Sequence, residues 1–244
     1  MSIYSIYKNE GETPLEVLDR VRIEKALDSN VSMTYAGRLD PLASGILIVL
    51  TGEDVHKKDD FNGLSKVYEF EILFGFGTDT GDVMGKVESY KVESNSKELK
   101  DEITKVISSF KGKQLQTYPM YSSKTVDGIP LWQYAREGKE VIAPTHEVEI
   151  SDTNVLGFEE KSANELLQEI KERIGKVKGD FRQQEILEEW ENLLQGKETK
   201  FLITQCVATV SSGTYIRKLC EDVGEKIGVS ALAWRIERTE IIGK

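Results

Sequence analysis

Cysteine and histidine are almost absent from this chain, which holds two of each in 244 residues. Cys206 and Cys220 stand far apart without a CxxC partner, and the histidines are His56 and His146, so the clustered ligands of a structural zinc site are missing. No metal is expected. Long apolar runs are lacking too: the longest, Ile46–Leu50, reads as a buried strand, far short of the roughly 20 residues that a membrane helix needs. The segment Met1–Lys8 has no basic stretch followed by an apolar one and a small-residue cleavage site. Nothing there marks the chain for export, and a cytoplasmic protein without membrane attachment is expected. Positive charge is in short supply, with 32 Lys and Arg against 42 Asp and Glu and a net charge of −10. That balance excludes a general nucleic-acid coat but leaves room for one basic face.

What is present fits one large domain, 1–244, with 39% hydrophobic and 30% charged residues. Thr13-Pro14, followed by Leu15, Val17, Leu18 and Val21, predicts a helix with a threonine cap and proline in its first turn. Val67–Phe74 alternates apolar and polar residues and predicts a strand that runs into a turn over Gly75–Gly85. Helices are predicted over Ser96–Phe110, around Leu131–Glu137, and from Thr214 to a stop at Gly228, with a strand over Phe201–Val210. Ser162–Gly196 reads as a helical hairpin: Ser162 and Glu165 form a capping box, Gly179-Asp180 suits the bend, and Gly196 the stop. No regular alternation of strand and helix runs through the chain, so a mixed α/β (α+β) sheet fold is predicted rather than a parallel sheet.

Asp40 precedes a proline, which pushes it to extended geometry and places it in a loop before the apolar stretch Gly45–Leu50. Taken alone, an Asp-Pro pair is more often a turn opener than a catalyst. Its surroundings reverse those odds. Ala36-Gly-Arg-Leu-Asp40-Pro-Leu-Ala-Ser-Gly45-Ile-Leu47 resembles the motif G-H-T-G-T-L-D-P-x-A-[ST]-G-[VL]-L of TruB-type tRNA pseudouridine synthases. Lys66-Val-Tyr68 with Phe74–Gly85 is similar to that family's K-x-Y…L-G-x-x-T-D-T-x-D-x-x-G. Tyr118–Gly128 with Leu131–Gly138 resembles P-x-x-S-A-x-K-x-x-G…L-Y-x-Y-A-R-x-G, and Ser212–Gly224 resembles C-S-x-G-T-Y-I-R-x-L…D-L-G. Four ordered motifs at family-like separations exclude coincidence.

The resemblance implies a pseudouridine synthase fold, a mixed and largely antiparallel sheet flanked by helices, acting on the T-loop uridine of tRNA without a cofactor. It implies Asp40 as the catalytic carboxylate, Arg217 as its bidentate partner, and Tyr68 against the target base with its hydroxyl near the departing C5 proton. Tyr215, Tyr35, Lys66, Lys8 and Lys124 are the implied substrate-binding residues. Further candidates for phosphate contacts are Lys111, Lys113, Arg136, Lys218, Arg235 and Arg238. Asp79 and Asp82 admit a magnesium site, with hydrogen-bonding turn residues the simpler reading.

The chain departs from the pattern in places. Tyr35 stands at the family's histidine, Ala36 and Arg38 at its threonines, and Asn9 at the proline of K-P-x-G. The hairpin 162–196 reads as an insertion and, first of all, as a plain solvated element; its acidity argues for packing or a protein partner, and replacing part of the PUA domain's grip on RNA is a further alternative. The chain is expected to carry no C-terminal PUA domain and to act as a monomer. A synthase of the same chemistry for another RNA, and an RNA-binding or tRNA-folding protein with little turnover, are the rival readings.

Overall fold

The computed structural model describes residues 2–91 and 97–243. In chain order the elements are β1 (Ile3–Lys8), α1 (Pro14–Glu24), β2 (Met33–Ala36), β3 (Ser44–Thr51), a 3-10 turn at Gly52–Lys57, and α2 (Lys58–Asn62). β4 (Ser65–Phe74), β5 (Phe76–Thr78), β6 (Val87–Tyr90), α3 (Lys97–Ser109), β7 (Gly112–Thr117), β8 (Thr125–Val126), β9 (Ile129–Pro130) and α4 (Leu131–Glu137) follow. The chain continues through β10 (Thr145–Ser162), α5 (Ala163–Gly175), α6 (Gln183–Leu194), β11 (Lys200–Val210), α7 (Ile216–Ile227) and β12 (Ala231–Ile242).

An eight-stranded sheet runs in the order β1-β3-β12-β4-β11-β10-β7, with β2 on β3. Its neighbours are antiparallel except at β12 and β3, where Glu237 pairs with Ser44 and Arg238 with Gly45 in parallel. The predicted mixed, largely antiparallel sheet flanked by helices is therefore the fold observed. That parallel seam needs glycine: Gly45 sits at φ +110, and a Cβ there would lie 2.2 Å from the Arg238 carbonyl oxygen.

One face of the sheet packs Phe70, Ile72, Cys206 and Ala208 under α3 and α7. The hairpin α5–α6 covers Leu73, Ile203, Leu232 and Trp234 of the sheet from the other cluster. Leu166, Ile170, Ile174, Ile186, Trp190 and Leu194 are all fully or almost fully buried there, each stabilising the contact by about 2 kcal/mol. Trp190 also donates its indole N–H to the Val83 carbonyl at 3.1 Å. The expectation of a solvated hairpin is corrected: its acidic residues line the outer face, while the three-to-four spacing buries the inner one.

Local signals explain the ends of several elements. Thr13 Oγ1 accepts from the Glu16 amide at 3.2 Å, and the Glu16 carboxylate accepts from the Thr13 amide at 2.7 Å. Ser162 and Glu165 repeat that capping box at the start of α5. The last helix starts at Ile216 rather than Thr214, because the Thr214 hydroxyl donates to the Ser211 carbonyl at 3.0 Å and closes a turn instead of capping. The predicted Ser96 start of α3 lies outside the described residues; from Lys97 the helix buries Ile103 and Ile107 as its spacing requires. No helix among the described residues is long and apolar enough to cross a membrane.

Candidate active site

Widely separated stretches of chain meet around one cavity of about 580 Å³, a size in the range of small-ligand sites. Its lining includes Gly37–Pro41, Lys66 and Tyr68 of β4, Thr80 and Asp82, Tyr121–Ser123, and Ser211–Arg217. Asp40 lies in the loop before β3, held extended by Pro41, and keeps 32% of its side chain exposed. Arg217, on the first turn of α7, is buried beneath it and donates Nε–H to Asp40 Oδ2 at 2.8 Å. The predicted bidentate fork is corrected by the rest of the guanidinium: one terminal nitrogen donates to the Thr80 carbonyl and the other to the Tyr121 carbonyl, at 3.0 Å for the latter. Arg217 thus gives one hydrogen bond to Asp40 and uses the others to fasten two wall segments.

Asp82 stands behind the same guanidinium, 3.9 Å from Nε, and accepts from the Thr80 hydroxyl at 2.8 Å and the Met84 amide at 2.9 Å. Burial raises its pKa against the opposing pull of Arg217, and the nearby charge of Asp40 raises it further. Burial by itself would lower the pKa of Arg217, but the charges of Asp40 and Asp82 overcome it, and the net direction is upward. The guanidinium is therefore a fixed positive charge under a solvent-facing carboxylate.

Tyr68 lines the cavity from β4, where it pairs in register with Ala208 and Arg238, and its hydroxyl accepts from Arg238 at 3.3 Å. Arg238, buried, also donates to the Ile46 carbonyl at 2.6 Å and the Gly37 carbonyl at 2.8 Å, clasping both ends of the Asp40 loop. Tyr215 is fixed through its backbone by Gln116, whose amide donates to the Tyr215 carbonyl at 3.1 Å and accepts from its N–H at 2.8 Å. Burial raises the Tyr215 pKa, and the Asp40 charge adds to the rise. Tyr118 stacks on His146 at 3.9 Å between centroids, with Lys124 Nζ 5.1 Å from the Tyr118 ring, and Tyr215 meets the pair edge-on. Tyr35 lies beside the cavity rather than in its lining; its hydroxyl accepts from Arg38 at 2.9 Å, and Lys58 Nζ is 5.6 Å from its ring.

Two predicted substrate-binding lysines point inward. Lys8 is wholly buried and donates to the carbonyls of Asn9 (3.1 Å), Pro41 (3.1 Å) and Ala43 (2.5 Å), so it grips the Asp40 loop from behind instead of offering charge to a phosphate. Burial lowers its pKa to about 8, with the Asp40 charge acting in the opposite direction. Lys66 forms part of the cavity wall but spends its ammonium on the carbonyls of Asn62 (2.7 Å) and Leu64 (2.5 Å), and burial followed by the charge of Arg238 lowers its pKa to about 8.

The wider set of basic candidates does not gather into one free face. Lys111 pairs with Asp152, Lys113 with Glu147, Lys218 with Asp222, and Arg235 with Glu169. Asp79 accepts from the Lys86 amide and from Arg182, and no group of metal-ligating side chains of the required size occurs among the described residues. Residues that sequence reasoning missed are Asn62, Trp132 and the hairpin tip Asp180–Arg182, all in the cavity lining. Asn62 accepts from the Gly37 amide at 2.9 Å. The charged, glycine-marked bend at 179–180 was the visible signal for the tip, but its place in the cavity that Asp40 lines depends on long-range packing.

The model of the TruB family pseudouridylate synthase N-terminal domain matches residues 25–180. Tyr35–Gly45 and the motifs through Gly138 fall inside that match. The chain is 32% identical over 237 residues to tRNA pseudouridine synthase B of Aquifex aeolicus, covering 97% of this chain and 67% of that protein. It is 31% identical to tRNA pseudouridine synthase B of Clostridium tetani, covering 98% of this chain and 66% of that protein. Against tRNA pseudouridine synthase 4 of Saccharomyces cerevisiae it is 32% identical, with 87% and 61% covered. The chain thus spans about two thirds of the length of these relatives. Among solved structures it is similar to a Cbf5-Nop10-Gar1 complex, with a TM-score of 0.58, 18% identity, and 98% of this chain and 48% of that chain covered. An H/ACA RNP bound to a substrate RNA containing 2'-deoxyuridine gives a TM-score of 0.55 at 17% identity, with 98% and 47% covered. Both likenesses are of fold.

Proposed function

Because this chain belongs to the TruB family of pseudouridylate synthases, we propose that it isomerises a uridine in the T-loop of tRNA to pseudouridine, with Asp40 as the catalytic carboxylate. The observation that carries the reading is the Asp40–Arg217 pair: a partly exposed carboxylate on a buried guanidinium, in the two motifs that resemble the family's catalytic ones.

The reaction rearranges atoms without adding or removing any. The N1–C1′ bond breaks, the base turns, C5 bonds to C1′, and the proton that C5 loses is balanced by the one N1 gains. The Asp40 carboxylate starts the sequence at C1′ or by removing the 2′ proton, and the hydrogen bond from Arg217 holds that carboxylate in place. Tyr68 is the wall against which the freed base rests, with its hydroxyl toward C5, and Tyr215 closes the pocket opposite. The target base sits in folded RNA and has to be extruded to reach Asp40. Tyr118, Lys124 and the Tyr35–Arg38 pair provide aromatic and cationic surface around the mouth for the flanking nucleotides. The reading extends to a single chain acting in the cytoplasm.

Incubation of the purified protein with an unmodified tRNA T-arm stem-loop RNA, followed by mapping of pseudouridine, tests it. Wild type is expected to convert the loop uridine. Asp40→Asn is expected to slow single turnover at least about 10³-fold while RNA affinity stays within about threefold. Product in ribosomal RNA with none in the stem-loop would overturn the substrate.

A further inference from the structure

The hairpin α5–α6 is tied at two places to segments that surround the Asp40 loop. Where α5 ends, Arg173 donates to Glu10 at 2.8 Å and to the Trp234 carbonyl at 2.5 Å, and Lys176 donates to Glu10 at 3.0 Å. Gly11, next to Glu10, sits at φ +94 so close to α5 that a Cβ would lie 2.5 Å from Lys176 Cβ, and its amide donates to the Pro41 carbonyl at 2.9 Å. At its tip, Arg182 gives two hydrogen bonds to Asp79, at 2.7 and 3.3 Å, and lies 4.8 Å from the Tyr121 ring. Asp79 and Tyr121 belong to the two wall segments whose carbonyls Arg217 holds. Arg136 secures the tip further through Asp180 at 2.9 Å. Arg182 takes φ +65, a left-handed backbone that a non-glycine residue adopts only when its surroundings impose it. A freely solvated bend would have no reason to keep that geometry.

The tip is thus fixed, and it carries Phe181 in the cavity lining with 37% of the residue exposed and no place in any core cluster. Arg136, Arg182 and Trp132, the last 40% exposed, line the same cavity. An open aromatic face in the wall of that cavity matches a nucleobase, since every base offers a π-face whatever its sequence. We propose that the hairpin tip is part of the RNA site, with the Phe181 ring stacking on a base that flanks the reacting uridine. The proposal rests on the reading of the chain as an RNA-modifying enzyme and adds a contact outside the four motifs. It also gives the hairpin a ligand: RNA at its tip rather than solvent.

The test uses the full chain and the T-arm stem-loop RNA, with 2-aminopurine replacing each loop base beside the target uridine in turn. Stacking on Phe181 is expected to quench one of these probes in the wild-type complex. Phe181→Ala should remove that quench and weaken binding about tenfold, with an unchanged melting temperature, whereas Phe181→Trp should keep both. Phe181→Ala binding and quenching as wild type does would overturn the contact. Wild type that binds and quenches but forms no pseudouridine would refute the proposed reaction and leave the contact standing. Wild type that does not bind the RNA would sink both.

Discussion

On the cavity floor, Arg217 and Asp82 are almost wholly buried, and every guanidinium nitrogen has a partner. At the rim, Lys124 is exposed beside Tyr118 and Trp132 stands 40% exposed. The two regions use charge differently. A buried charge is costly unless its partners are complete, so the floor holds one geometry and suits a reacting carboxylate. An exposed cation on an aromatic face gives up little when it is moved, so the rim can follow an irregular RNA loop.

Removing Arg217 breaks the contrast most severely. Arg217→Ala leaves Asp82 buried without its counter-charge and frees two wall carbonyls, and it is expected to destabilise the fold by about 3–5 kcal/mol. Urea denaturation measures this, and a loss under 1 kcal/mol would mean that the floor is not a coupled unit. Arg217→Lys should keep part of the stability but still lose the three-way hold on Asp40, Thr80 and Tyr121.

Lys8 sharpens the comparison through pH. Its pKa is lowered from 10.5 to about 8, so between those values the folded chain binds fewer protons here than the unfolded chain does. This group therefore makes stability rise as pH climbs from 8 to 10.5, by up to about 3 kcal/mol. Wild type compared with Lys8→Met by urea denaturation at pH 7 and pH 10 should show the stability difference shifting toward wild type at the higher pH. An equal difference at both would show that burial does not act on this ammonium.

The smallest effect belongs to the rim. Lys124→Ala should weaken binding of the stem-loop RNA a fewfold and reduce the salt dependence of affinity by about one ion. Titrations from 50 to 200 mM salt read this directly, and an unaltered slope would remove Lys124 from the phosphate contacts.

Elements whose signals are local were legible before the fold was known. The threonine cap at Thr13, the capping box of Ser162 and Glu165, the helix Leu131–Glu137 and the Asp40 loop ahead of its strand all depend on residues within a few positions of one another. The long strands β10 and β12 were not. In β12 the register slips between Ala233 and Arg235 and again between Arg238 and Glu240, and each slip exchanges the faces on which apolar residues fall. β10 slips at Ile150/Asp152 and Val155/Gly157, with few apolar residues to mark its period. The site divides in the same way. Asp40 and Arg217 were legible through their motifs, whereas the inward turn of Lys8 and Lys66 and the arrival of Phe181 in the cavity that Asp40 lines are products of packing between remote segments.

The parallel seam between β3 and β12 has a consequence for the order in which the chain folds. It joins residues near the two ends of the molecule, and the contacts around it span the longest sequence separations: 177 positions for Arg217 to Asp40, 201 for Arg238 to Gly37, and 230 for Tyr7 to Glu237. Loops that long close late, after hairpins such as β10–β11 have formed. A nascent or partly folded chain therefore carries Asp40 as an unheld loop residue, and its pairing with Arg217 forms only at the final closure of the sheet.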